Sequence, residues 1–577
     1  MLKNLLSCVG EYKKPSLLAP LSVTLEVFLE VLIPYLMATL IDQGISTGSM
    51  PIVIRYGLIL VVAAMASLMF GVLSGHFAAV ASAGFAKNLR REMYYRVQDF
   101  SFTNIDHFST SSLVTRLTTD VTNVQNAYQM IIRIAVRAPI MLILALIMAA
   151  RISPKLSLVY LCIIPILGIA LYAIISHAHP IFVRVFKTYD KLNNVVQENV
   201  HGIRVVKSFV REDFEKKKFD EISGSIYHDF SKVEKLIAFN GPVMQFSVYT
   251  CMLLISWFGA RLIVSDEMTT GQLTSMFTYT MQILISLMML SMIFVMTIIS
   301  RAAMERINEV LIETPDIANP EHALTEVPDG SIVFDHVSFS YTGDAKKLCL
   351  KDIDLTIRSG ETVGIIGGTG SAKSTFVQLI PRLYDVTSGA VRVGGHDVRE
   401  YDMQVLRDAV SMVLQKNVLF SGTIKDNLRW GNKDASDEEM LHACQLAQAD
   451  EFIQSFPEKY DTHIEQGGSN VSGGQKQRIC IARALLKKPA ILILDDSTSA
   501  VDTRTDALIR KAFAEEIPHT TKLIIAQRIS SVQDANKIIV LDNGAVSAVG
   551  THEELLASNP IYQEVYYSQV KEGADHE

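Results

Sequence analysis

The strongest constraint on this chain is a set of long stretches in its N-terminal half without any Asp, Glu, Lys or Arg. They are Tyr56–Ala86, Leu156–Val183, Leu236–Ala260 and Met268–Ser300. A helix needs about 20 apolar residues to cross about 30 Å of hydrocarbon, so each stretch is long enough to span a bilayer. A shorter one, Ala138–Ala150, follows Arg133 and Arg137. It spans if its helix begins near Ile134 and the arginines reach toward the interface. A further span, Pro15–Ile41, carries Glu26 and Glu30. It is expected to stay as a retained first helix: Lys3, Lys13 and Lys14 precede a run too long for a signal-peptide core, and no small-residue cleavage site follows.

Lys and Arg set the expected orientation. The segment after the second span carries Lys87, Arg90, Arg91, Arg96 and Arg116, and the one after the fourth carries eleven basic residues from Arg184 to Lys235. The loops after spans one, three and five have none in their middles. Both long segments and both termini are therefore expected to be cytoplasmic. The long segments contain few Gly or Pro, so they read as helices that project beyond the bilayer, with tips at about 108–123 and 206–219.

Composition agrees. Hydrophobic residues make up 49% and charged residues 20% of 577, which argues against a purely soluble enzyme. The net charge of −7 argues against nucleic acid as the main partner. Six scattered cysteines form neither a disulfide framework nor a zinc-ligand pattern. After a Pro- and acid-rich connector the texture changes to short β-branched runs (TVGIIG, VSMVLQ, AILILDD, TKLIIAQ) alternating with helical patterns. That reads as an α/β domain with a largely parallel sheet. The expected fold is thus an all-α, six-helix transmembrane domain over 1–305, a linker over 306–330 and, with the glycine-rich turn Gly367–Thr375 between a strand and a helix, an α/β P-loop ATPase domain over 331–577.

The run Gly367-Gly368-Thr369-Gly370-Ser371-Ala372-Lys373-Ser374-Thr375 joins strand TVGIIG to a helix. Backbone N–H groups of such a turn point at phosphate. Lys373 would neutralise the β- and γ-phosphates of ATP, and Ser374 would ligate Mg²⁺. The strict pattern ends in Gly where this chain has Ala372. Ala disfavours positive φ, so it is expected to tighten or slow the site. Strand ILILD places Asp495 at a sheet edge, where it would hold Mg²⁺ directly or through water.

Between those motifs lies Asn470-Val471-Ser472-Gly473-Gly474-Gln475, which closely resembles the LSGGQ signature of ABC transporters. The membrane half, with LVTRLTTDV at 113–121, is similar to that of type IV ABC exporters. This resemblance implies that Tyr341 stacks on adenine and that Gln415 is the Q-loop glutamine, near water and Mg²⁺. It implies that Ser499-Ala500-Val501-Asp502 is the D-loop. It also implies that two ATP molecules are sandwiched between two such domains, with Ser472, Gly473, Gly474 and Gln475 facing a γ-phosphate bound on the partner. ATP then favours the closed state, and the intracellular helices carry closure to the membrane half.

Two positions depart from the family pattern. Asp496 stands where Glu serves as general base. Its oxygens fall about one C–C bond, roughly 1.5 Å, short. Gln527 stands where His is expected; it can hydrogen-bond a phosphate but cannot become a cation. The loop Ile464-Glu465-Gln466-Gly467-Gly468 also differs. Together these resemble the degenerate-site half of a heterodimeric bacterial multidrug exporter. The expectation is a subunit that binds ATP and hydrolyses it slowly, lends its signature to a non-identical partner, and moves hydrophobic or amphipathic compounds out across the bacterial plasma membrane. The alternatives are a homodimeric lipid or peptide exporter, and a nucleotide-gated regulator or channel.

Glu26, Glu30 and Pro34 recur every fourth residue and share a helix face. They either attract cationic substrates, pair with Arg133 or Arg137, or lie near the cytoplasmic interface. Met276, Phe277, Met281, Met288, Met289, Met292, Phe294 and Met296 suggest an adaptable apolar lining, or packing and lipid contact.

Overall fold

The computed structural model describes residues 1–497 and 501–574. The side chains of Phe186, Asp190, Phe294, Val295, Ile298, Ile299 and residues 570–574 lie outside that description, as do Ser499 and Ala500 of the expected D-loop. The chain divides into two compact units: Met1–Gln98 with Ser109–Glu313, and Asp99–Phe108 with Thr314–Glu577.

The first unit is helical. In chain order the helices are α1 (Leu2–Ser7), α2 (Lys13–Thr39) and α3 (Met50–Asp99). Then come α4 (Phe102–His107), which belongs to the second unit, α5 (Thr110–Thr115) and α6 (Val121–Ile152). They are followed by α7 (Pro154–His201), α8 (Ile203–Ser208), α9 (Glu212–Ala238), α10 (Asn240–Val264) and α11 (Thr270–Ile312). Among the described residues, six helical segments are long and apolar enough to cross a membrane. The 50 residues of α3 rise about 75 Å at 1.5 Å each, far beyond the hydrocarbon. α11 continues to Ile312, through the first residues of the expected linker.

Local chemistry sets the breaks. Ser153 is extended and its hydroxyl accepts from Leu156 N, while Pro154 opens α7 where no N–H is needed. Thr269 and Gln272 form a capping box at the start of α11. The core holds Val23, Val27 and Val31 of α2 with Ala145 and Ala149 of α6. Buried Tyr160 and Tyr279 satisfy their hydroxyls on Met276 O (3.0 Å) and Val31 O (2.8 Å). Val62 and Leu68 of α3 are more than half exposed, as a lipid-facing surface requires.

The turn after α3 lies at Asp99–Phe108, about a turn or two before the expected 108–123. The latter stretch resumes as helix through α5 and a π-helical turn, Arg116–Asp120, into α6. Arg116 donates to Arg306 O (2.5 Å) and Arg306 returns two bonds to buried Asp120 (2.7 and 2.5 Å), which ties this turn to α11. The second turn spans α8 and Phe209–Arg211, overlapping the expected 206–219.

The second unit is α/β. Its strands are β1 (Ile332–Phe339), β2 (Leu350–Ile357), β3 (Thr362–Gly367), β4 (Ser388–Val393), β5 (His396–Asp397) and β6 (Val410–Val413). Next are β7 (Gly422–Thr423), β8 (His463–Ile464), β9 (Ile491–Asp495), β10 (Thr521–Ile525), β11 (Lys537–Asp542) and β12 (Ala545–Gly550). The main sheet has the order β12-β11-β3-β10-β9-β6 and is parallel except at β12. A second, antiparallel sheet has the order β2-β1-β4-β5. Both faces of the main sheet are covered. Leu492 and Leu494 of β9 point into one apolar cluster and Ile491 and Ile493 into the other. Double-sided burial is what makes these strands read as continuous apolar runs.

Candidate functional site

The sheet order assembles the nucleotide site. Four neighbouring strands end on one edge, in the spatial order β3, β10, β9, β6. β3 leads into the glycine-rich loop, β10 toward Gln527, β9 into Asp495-Asp496 and β6 toward Gln415. Ile525 is level with Ile365 on one side and with Asp495 on the other. Ligands of open α/β sheets bind outside this carboxyl edge.

The loop Gly367–Ala372 leads into α12 (Lys373–Gln378). A Cβ on Gly367 would lie 2.3 Å from Leu541 O, so only glycine fits. Ala372 sits at φ +69°, ψ 26°, in the left-handed region, which costs a residue with a Cβ about 1–2 kcal/mol. Lys373 Nζ donates to Gly367 O (2.8 Å) and Gly368 O (2.9 Å). Burial pushes its pKa below the usual lysine range, against the pull of Asp496 and Asp495. Ser374 Oγ donates to Asp495 Oδ1 (3.0 Å). A hydroxyl and a carboxylate side by side, with Gln415 near Asp496, are the hard oxygen donors that Mg²⁺ takes, so the residues fit that ion. Burial raises the Asp495 carboxyl, the Ser374 bond opposes this, and Asp496 adds to it.

The two departures from the family pattern meet. Asp496, 8% exposed and at φ +49°, accepts from Gln527 Nε2 at 2.7 Å and from Gln415 Nε2 at 3.5 Å. The Gln527 amide thus donates to the neighbouring carboxylate. Gln569 holds the same loop, donating to Gln527 O (2.7 Å) and accepting from Ile529 N (2.9 Å).

Tyr341, 43% exposed, anchors its hydroxyl on Thr375 Oγ1 (3.0 Å) beside the glycine-rich loop, with part of the ring free to stack. Its ring meets Tyr384 edge-on at 5.1 Å, and Tyr384 OH donates to Asp106 Oδ2 (2.7 Å) of α4. Phe102 of α4 packs on the same tyrosine. Thus α4, the connection between α3 and α5, reaches Thr375 through two tyrosines. Sequence reasoning missed Tyr384, Asp106 and Gln569. The only signal was an aromatic after the α12 helix and a short polar segment between two basic ones.

Ser472 is the N-cap of helix Gly473–Leu485. Its hydroxyl accepts from Gln475 N (3.3 Å), and Gln475 Oε1 accepts from Ser472 N (2.9 Å). None of the described hydrogen bonds of Ser472 or Gln475 reaches the glycine-rich loop.

In the first unit, Arg137 bridges Glu26 (2.5 Å) and Glu30 (2.6 Å). The pairing alternative therefore holds, through Arg137 and not Arg133. Met276 is fully buried in the helix core, whereas Met281, Met288 and Met292 are exposed; the Phe294 side chain lies outside the described residues.

Comparison with known proteins agrees with this geometry. Residues 16–288 match the ABC transporter transmembrane region and residues 350–499 the ABC transporter family model. The chain is 37% identical over 569 residues to the uncharacterized ABC transporter ATP-binding protein YfiB of Bacillus subtilis (strain 168), covering 98% of this chain and 99% of that one. The chain belongs to the ABC transporter family. This ABC transporter is also 36% identical to the uncharacterized protein Rv1273c of Mycobacterium tuberculosis (strain ATCC 25618 / H37Rv), over 93% of each chain. It is 34% identical to YheI of Bacillus subtilis, a probable multidrug resistance ABC transporter ATP-binding/permease protein, over 74% of this chain and 73% of that one. Its fold matches that of a bacterial Atm1-family ABC exporter with ATP bound. The TM-score is 0.84 at 23% identity, over 96% of this chain and 99% of that one. It is a multi-pass membrane protein whose ATPase domain uses ATP with Mg²⁺ and couples hydrolysis to transport.

Proposed function

We propose that this chain is the degenerate-site subunit of a heterodimeric ABC exporter in a bacterial plasma membrane, with both termini cytoplasmic. The observation that carries the reading is the 2.7 Å bond from Gln527 to Asp496. The carboxylate in the general-base position is short by a methylene and held by a neighbour that cannot become a cation. Water activation, worth about 10²–10⁴-fold, is what such a site gives up.

Binding is retained. Tyr341 stacks on adenine, and the amides of Gly368, Thr369, Gly370, Ser371 and Ala372 face the phosphates. Lys373 leaves its own carbonyls for the β- and γ-oxygens. Ser374, Asp495 and Gln415 are the residues that would hold Mg²⁺, which neutralises phosphate charge when bound. Ser472, Gly473, Gly474 and Gln475, at the N-terminus of a 13-residue helix, face the γ-phosphate held by the partner chain, where hydrolysis is fast. Closure passes from Thr375 through Tyr341 and Tyr384 to Asp106. Similarity to YheI, a probable multidrug resistance transporter, supports hydrophobic or amphipathic compounds as the substrate class.

The test is ATP hydrolysis by this chain purified alone and with its partner. The expected result is slow turnover alone. In the pair, Asp496→Asn should have a small effect, while Ser472→Ala should lower turnover about 10²-fold, the size of losing one charge-stabilising donor. Brisk hydrolysis by the lone chain, or the reverse ranking, refutes the assignment.

A further inference from the structure

A crevice of about 570 Å³ opens where α1, the residues after it, α3 and the end of α11 meet. Asn4 and Ser7 form one wall, Asn88, Arg91, Glu92 and Arg96 of α3 another, and Leu311 and Ile312 an apolar edge. Asn88 is 4% exposed, yet its amide oxygen has no hydrogen-bond partner. Its orientation is set from behind: the amide nitrogen donates to Glu11 Oε2 (3.2 Å), and Lys87 is paired with the same carboxylate. A flipped amide would put oxygen against carboxylate. The crevice therefore presents a buried acceptor that asks for an N–H or O–H donor. Beside it, Arg91 makes no ion pair among the described residues, and Glu92 shares Arg96 at 3.8 Å.

The depth matches a lipid headgroup. Arg91 lies five residues past Ala86, the last residue of the charge-free stretch of α3. Glu11, which holds Asn88 at 3.2 Å, stands four residues before Pro15, where the first apolar span begins behind Lys13 and Lys14, and basic residues flanking a span lie at the headgroup layer. α1 exposes Leu2 and Leu6 while burying Leu5, the pattern of a helix lying in the interface.

We infer that this crevice binds the headgroup of phosphatidylethanolamine from the leaflet that meets the charged ends of α2 and α3. The phosphate sits on Arg91, and the primary ammonium donates to Asn88 Oδ1 and faces Glu92. Phosphatidylcholine matches the charges but its quaternary nitrogen has no N–H to donate. Phosphatidylglycerol brings donors but no cation for Glu92.

The test is lipid retention by the purified full-length transporter, counted by native mass spectrometry after exchange against phosphatidylethanolamine, phosphatidylcholine, phosphatidylglycerol or inorganic phosphate. Phosphatidylethanolamine should be retained about tenfold over the other two lipids, roughly the weight of one charge-assisted hydrogen bond. Asn88→Leu and Arg91→Gln should abolish that preference. Arg91→Lys keeps a cation for the phosphate and leaves Asn88 on Glu11, so it should preserve the preference, which separates loss of the site from loss of fold. Equal retention of phosphatidylcholine, preference for phosphatidylglycerol, or indifference to both variants overturns the proposal. So does full displacement by inorganic phosphate, which would mark a site for free anions.

Discussion

If Gln527 restrains Asp496, the two positions must act as a unit. The perturbation is a cycle of Asp496→Glu, Gln527→His and the double variant. Glu restores about 1.5 Å of reach. In the single Asp496→Glu variant the Gln527 amide, now 2.7 Å from the carboxylate, still has that group to hold. A hydrogen bond to a charged acceptor is worth about 1.5–3 kcal/mol, or roughly 10- to 150-fold in rate. Asp496→Glu alone is therefore expected to recover only part of the 10²–10⁴-fold (about) that a placed base supplies. The double variant should exceed the product of the single effects by about tenfold or more. The assay is vanadate trapping of a photoreactive ATP analogue in the assembled transporter, counted on this chain so that its P-loop is read apart from its partner's. Purely multiplicative effects, or full recovery from Asp496→Glu alone, would refute the restraint.

Tyr384→Phe keeps the ring contact to Tyr341 at 5.1 Å but removes the bond to Asp106; ATP hydrolysis should persist while vesicle transport per ATP falls, and unchanged coupling would count against the tyrosine relay. Arg137→Met strands Glu26 and Glu30 and should destabilise the membrane unit by about 3 kcal/mol, near the lower end for breaking a buried pair because a third of Glu30 is exposed. Adding Glu26→Gln and Glu30→Gln should restore the unfolding midpoint, and failure to do so would show that the arginine acts alone. Asp495 has its folded pKa raised by burial, so its contribution to stability is full below its unfolded pKa and is lost as pH rises through the folded one. Asp495→Asn should therefore raise the melting temperature without Mg²⁺ at neutral pH, with the gain shrinking as pH falls into the carboxylate range. A gain independent of pH would contradict this.

The membrane half was legible because hydrocarbon allows few solutions: the charge-free runs overlap the observed spanning helices, the last run starting two residues before α11, and Ser153-Pro154 and Thr269–Gln272 mark helix starts. The glycine-rich loop and Asp495 were legible because apolar runs ending in such residues mark strand ends in a parallel sheet. The turn after α3 was placed too late because α5 and the π-turn after it carry the same polar composition as the turn itself.

Residue types and spacing alone told that this chain spans a membrane, binds a nucleotide, and carries Asp and Gln at two positions of its hydrolytic site. They did not tell that these two face each other. Asp496 and Gln527 are 31 positions apart on strands that are neighbours only because β10 inserts between β3 and β9, and that order comes from burying both faces of a twisted sheet. The same holds for Asp106 with Tyr384, 278 positions apart, and for the choice of Arg137 over Arg133 as partner of Glu26 and Glu30. Which of several equally charged groups becomes a partner is settled by which helix face packs inward.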